Sequence, residues 1–82
     1  MTNEAPLAPL DANGASVAIG DRVEILTIPH WLVHDLPLED QTHLKTYERN
    51  IVSIAEIDRF GYLWFSSPAS GFCLRPQEVR RV

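Results

Sequence analysis

The chain has 82 residues, 45% of them hydrophobic, a formal net charge of −4 and one cysteine, Cys73. That length sets a single small domain with a modest core. One thiol excludes an internal disulfide and a thiolate zinc cage, and it suits a reducing compartment.

The opening run MTNEAPLAPLDANGASVAIG has neither a basic start nor a long apolar stretch. It reads as no signal peptide, no segment approaches the roughly 20 apolar residues of a membrane span, and a cytoplasmic location is expected. Its Ala, Pro, Asn, Gly and Ser content predicts a flexible N-terminal tail over residues 1–16, loose at least through residue 12. Seven acids and only Arg22 as a base fall in residues 1–40. Lys45, Arg49, Arg59, Arg75, Arg80 and Arg81 lie scattered among the acids of the second half, which is not the basic face of a duplex-binding domain.

Gly20-Asp21 opens into RVEIL, where Val23 and Ile25 alternate with Arg22 and Glu24 as in a half-buried strand. Pro29 ends that ladder, and PHWLVHD suits one helical turn. LPLEDQTHLKTYERN reads as a helix with Asp35 as its cap, Pro37 in its first turn, and Glu39 and Asp40 at its positive end. Leu36, Leu44 and Tyr47 form its inward stripe, and Asn50 marks its stop. IVSIAEID returns to strand. Val52, Ile54 and Ile57 are core candidates whose uneven spacing predicts a bulge near Ala55. DRFG is a hairpin turn with Gly61 free to take positive φ. YLWFSS is the partner strand, with Leu63 and Phe65 on one face and Tyr62 and Trp64 on the other. PASG turns, FCL is a short strand, RPQEV is one helical turn, and RRV closes as a last strand.

The stretches GDRVEIL, VSIAEIDRFGYLWF and FCLRPQEVRRV resemble the SH3-like barrel superfamily over residues 17–82. The layout is most similar to electron-transport accessory proteins: a small accessory protein of photosystem I, the variable chain of ferredoxin–thioredoxin reductase and the nitrile hydratase beta-subunit domain. The resemblance implies a mainly β fold, a small five-stranded SH3-like barrel with a helical insertion at about residues 29–49 between the first two strands. Those families usually carry a flexible loop where this chain has Trp31 and all three histidines. The segment around PHWLVHDLP also resembles one in small bacterial proteins. The family likeness implies a docking module and transfers no functional residue.

Several groups invite a chemical reading. His30 and His34, four apart, share a face of a helical turn and suit a transition metal with Asp35 or His43 as third ligand. Position 31 is Trp, not the Glu of a metalloprotease helix, so packed or solvent-facing histidines are the competing reading. Trp31 either closes an open end of the barrel with Leu32, Val33, Leu36 and Leu44 or anchors a partner. Tyr62 and Trp64, beside Phe72, form an outward aromatic patch unless Trp64 packs under the middle helix. Cys73 lacks a basic neighbour closer than Arg75, and no phosphate loop or sheltered carboxylate pair is present.

The expected function is therefore a non-catalytic protein- or peptide-docking module without a cofactor. It uses Trp31, Tyr62, Trp64 and Phe72, with Asp35, Glu39 and Asp40 as an acidic rim for a basic partner. The alternatives are a nucleic-acid accessory protein, a metal- or redox-linked regulator using His30, His34 and Cys73, and an antitoxin- or immunity-type protein that binds a basic effector.

Overall fold

A computed structural model describes residues 7–82. Five antiparallel strands form one sheet in the order β4-β3-β2-β1-β5. They are β1 (Arg22–Ile25), β2 (Ile51–Ile57), β3 (Leu63–Phe65), β4 (Cys73–Leu74) and β5 (Val79–Arg81). Two short helices, α1 (His30–Val33) and α2 (Leu38–Lys45), lie between β1 and β2, and a 3-10 turn, Pro76–Glu78, precedes β5. β4 and β5 are the two ends of the strand order and do not pair with each other. The sheet is therefore open where the sequence reading expects a barrel.

The long strand β2 holds the sheet together. Its first half pairs with β1 (Val23 opposite Val52) and its second half with β3 (Ile54 opposite Phe65, Ile57 opposite Leu63). The register shifts between Ile54 and Glu56, the bulge expected at Ala55. One extra residue there turns Val52, Ile54 and Ile57 to the same side although their spacing breaks strict alternation. Val23, Ile25, Leu63, Leu74 and Val79 are wholly buried on that side, with Val17, Ile28, Val33, Val52, Ile54, Phe65, Ala69 and Phe72 packed around them.

The β2–β3 turn is held by one side chain. Asp58 Oδ1 accepts from the Phe60 and Tyr62 amides at 2.9 and 3.0 Å. Gly61 takes φ +92°, and a Cβ there would sit 2.6 Å from the Leu7 carbonyl oxygen, so both the turn and the chain crossing it need glycine.

The connection between β1 and β2 corrects two details. Pro37, not Asp35, stands at the N-cap of α2, with no capping side chain, and Asp35 instead lies 3.1 Å from His34. The residue before a proline is pushed out of the helical region, so the helix starts after Pro37. The left-handed residue is Arg49 (φ 71°) rather than Asn50. No residue of α2 is fully buried, but Leu36, Leu44 and Tyr47 do pack against the core as their spacing predicts. Glu48 fastens the far end by accepting from the Ile28 amide at 2.8 Å.

Of the expected tail, residues 1–6 lie outside the described residues. Residues 7–16 are hydrogen-bonded to the rest of the fold where composition predicts a loose stretch of chain. Leu10 bridges Ser16, the Leu7 amide donates to the Phe60 carbonyl, and Asp11 is buried. No helix among the described residues is long and apolar enough to cross a membrane.

Candidate functional site

The residues singled out by sequence separate onto two faces of the sheet. Leu63 and Phe65 point into the core, so alternation along β3 puts Tyr62 and Trp64 outside. Trp64 lies opposite Glu56 on β2 and Cys73 on β4, which places those two side chains on the outer face with it. Phe72 shares the inward side with Leu74. It is 5% exposed and packs on Phe65 and Tyr47 at centroid distances of 5.8 and 5.3 Å. It therefore does not belong to the aromatic surface expected for it.

Trp31 reaches the outer face from α1. Its ring lies 5.9 Å from that of Tyr62, and its Nε1 donates to Glu78 Oε2 at 2.8 Å. Glu78 is the centre of this corner. It is 7% exposed and accepts from the Arg75 amide at 2.8 Å and from the Arg75 guanidinium at 3.3 and 3.1 Å. The Arg75 guanidinium in turn lies 5.1 Å from the centroid of the Trp31 ring, in cation–π range. One carboxylate thus ties the helical connection to the last 3-10 turn. Trp31 is half-buried. Val33 beside it enters the main core, and Leu32, Leu36 and Leu44 pack at the core's margin.

Trp64 is fixed in the same manner. Its Nε1 donates to Asp58 Oδ2 at 3.0 Å, so the side chain that shapes the β2–β3 turn also orients the indole. Trp64 is partly buried, with its N–H satisfied by Asp58. The Trp64 indole and the Tyr62, Phe60 and Gly61 amides hold the Asp58 carboxyl below its ordinary range, while partial desolvation opposes them. A depressed carboxyl contributes stability above its unfolded pKa, and that contribution is lost as pH falls through the folded value. Acidification below about pH 4, the ordinary range of a free aspartate, is therefore expected to release the Trp64 indole. In a Trp31→Phe chain, Trp64 fluorescence recorded against pH reads this step. Asp58→Asn should flatten it.

The remaining candidates do not converge on this face. Asp35 pairs with His34, and Glu39 and Asp40 stand exposed in the first turn of α2. The carboxylates bonded to the aromatic residues are Asp58 and Glu78. The rings of His30 and His34 lie 5.6 Å apart, both residues are exposed, and the His34 Nδ1 contacts the Trp31 carbonyl at 3.1 Å. His43 packs edge-on against Tyr47. Among the described residues, no three His, Cys, Asp or Glu side chains stand close enough together to hold a metal ion. Burial, then the charges of Asp58 and Glu78, push the Cys73 thiol up, which disfavours the thiolate that nucleophilic or redox chemistry uses.

Sequence reasoning missed Glu78 and Arg75 as parts of the site. The available signal was the Arg75-Pro76-Gln77-Glu78 spacing. A Glu three residues after the residue preceding the turn can reach back to that residue's amide, and Glu78 does so. Comparison with protein-family models, with curated proteins and with solved structures finds no match to this chain.

Proposed function

We propose that the chain is a non-catalytic docking module whose outer aromatic face, built from Trp31, Tyr62 and Trp64, receives a basic extended segment of another protein. The sheet would then serve as the scaffold of an SH3-like barrel, with the helical connection between β1 and β2 forming one wall of the face.

A single observation carries this reading. Both indoles are held by carboxylates through their N–H groups, and both residues are only partly buried and stand outside the core cluster. Rings anchored at one edge lose little further freedom when a partner covers them, and preorganisation of that kind favours binding. The polar groups at the border are mainly carboxylates, Glu56, Asp58 and Glu78, with Arg75 as the cation on Trp31. A lysine or arginine side chain stacks on such rings, and the acidic border speeds its encounter. Arg75 already makes that contact on Trp31 within the chain.

The test is fluorescence anisotropy with a labelled panel of extended Lys/Arg-rich peptides against the intact chain. Binding should weaken at least tenfold in Trp31→Ala and in Tyr62→Ala, and should fall with added salt. It should be indifferent to Leu38→Ala on α2. Equal affinity for wild type and both aromatic variants would reject the reading.

A further inference from the structure

The outer edge of β5 is occupied by the chain's own N-terminal segment. The Leu26 amide donates to the Glu78 carbonyl and the Val82 amide to the Arg22 carbonyl, at 3.0 and 3.1 Å. Antiparallel ladders alternate, so Val79 and Arg81, which lie opposite Ile25 and Val23, turn their N–H and C=O groups away from β1. These outward groups form the sheet edge. Asp11 Oδ2 accepts from the Arg81 amide at 2.7 Å, and the Ala12 amide donates to the Val79 carbonyl at 2.9 Å. A carboxylate and one N–H thus take the place of a further strand.

The same carboxylate shapes its own loop, since Asp11 Oδ1 accepts from the Asn13 and Ala15 amides at 2.8 and 2.9 Å. Asp11 is 5% exposed, and Val17 is in the core. Ala12, Asn13, Gly14 and Ser16 are exposed, so residues 11–17 are held by Asp11, Val17 and the Ala12 amide, with the Leu7 amide bond to the Phe60 carbonyl as a separate attachment upstream.

Charge at this end of the sheet runs against that of the whole chain. Arg80 and Arg49 both pair with Glu24, at 2.6 and 3.6 Å, Arg81 lies 3.8 Å from Asp21, and Arg22 stands exposed on β1. With Asp11 withdrawn, four arginines would face two carboxylates. An exposed edge pairs with extended chain, and this one already selects a carboxylate at the Arg81 amide.

We propose that the outer edge of β5 is an acceptor site for an acidic extended segment of a partner protein, which adds to the sheet at the positions that Asp11 and Ala12 hold within the chain. Residues 11–12 are then an intramolecular competitor. A main-chain N–H on the Val79 carbonyl supplies affinity, and the aspartate carboxylate on the Arg81 amide supplies selection. This surface is separate from the aromatic face and does not depend on it.

The probe is a synthetic peptide LAPLDANGASV, the sequence of residues 7–17, titrated into the full-length chain and followed by amide NMR. In Asp11→Ala the Arg81 amide should shift on peptide addition. Binding should be at least tenfold tighter than to wild type, because the tethered segment competes at millimolar effective concentration. The same peptide with its aspartate replaced by alanine should bind at least tenfold more weakly. Should Asp11→Ala fail to fold, Asp11→Asn keeps the side-chain shape and should give the same order with a smaller gap. A folded variant whose Arg81 amide stays fixed at millimolar peptide overturns the proposal. So does equal binding of the alanine peptide, a response confined to Trp31 and Tyr62, or dimerisation of the variant without peptide.

Discussion

Leu63→Ala should cost about 3–4 kcal/mol of unfolding free energy, which is the middle of the range for emptying a rigid aliphatic site. Leu63 is wholly buried and sits where the sheet has least redundancy. It pairs with Ile57 beyond the bulge of β2 on one side and with Leu74 of the two-residue β4 on the other. Removing its side chain takes the middle contact from both pairs, and short strands offer little slack to close the gap. A small domain has roughly 5–15 kcal/mol in total, so the loss is a large share. At about 4–8 °C per kcal/mol for a chain of this size, the thermal midpoint should fall by roughly 12–32 °C. Leu38→Ala is the matched control. That leucine is 77% exposed, and its loss should change stability by less than about 0.5 kcal/mol. Urea unfolding checks both. A cost for Leu63→Ala below about 1 kcal/mol would mean that β3 and β4 do not enclose this position.

Glu78→Ala should destabilise the fold by about 2–3 kcal/mol, through a different cause. The carboxylate is 7% exposed and receives the Trp31 indole, the Arg75 amide and the Arg75 guanidinium. Truncation leaves three half-buried donors without their acceptor and puts no new apolar contact in their place. Glu78→Gln keeps acceptor oxygen but loses charge, so it should fall between wild type and alanine. The distinguishing readout is local. Trp31 fluorescence should shift towards that of a solvated indole, and amide exchange should quicken over residues 30–36 more than in β1 and β2. A stability loss with no change at Trp31 would show that the glutamate acts only within its own turn.

Much of the sheet is legible in the sequence because its signals are local. Val23 and Ile25 alternate, Gly61 sits where a turn needs positive φ, and the odd spacing of Val52, Ile54 and Ile57 marks the bulge. The polar anchors are harder to read. Glu78 has the sequence context of a surface acid at the start of a helical turn, yet a bond from Trp31, 47 residues away, makes it a junction. Asp11 lies in a run of small residues whose composition suggests disorder, and its burial depends on the Arg81 amide at the other end of the chain. Phe72 departs from expectation for a simpler reason: it falls two residues before Leu74, so the alternation that turns Leu74 inward turns Phe72 inward as well. Of the proposed aromatic surface, Trp31, Tyr62 and Trp64 are legible, while the carboxylates that fix the two indoles are not. Asp35, Glu39 and Asp40 resemble an acidic rim because they are close in sequence to Trp31. The fold instead brings Asp58 and Glu78 to the indoles from β2's far end and from the 3-10 turn.

The two indole N–H resonances report directly on whether the outer aromatic face receives a basic segment. Indole N–H signals fall outside the backbone amide region, and Trp31→Phe assigns which of the two belongs to Trp64. On titration with an extended Lys/Arg-rich peptide, the Trp31 indole and the Tyr62 ring signals should shift first and saturate together. The Trp64 indole should follow, and Phe72 and the α2 amides should stay in place. Saturating shifts in α2 or on β5 with both indoles fixed would contradict docking at this face.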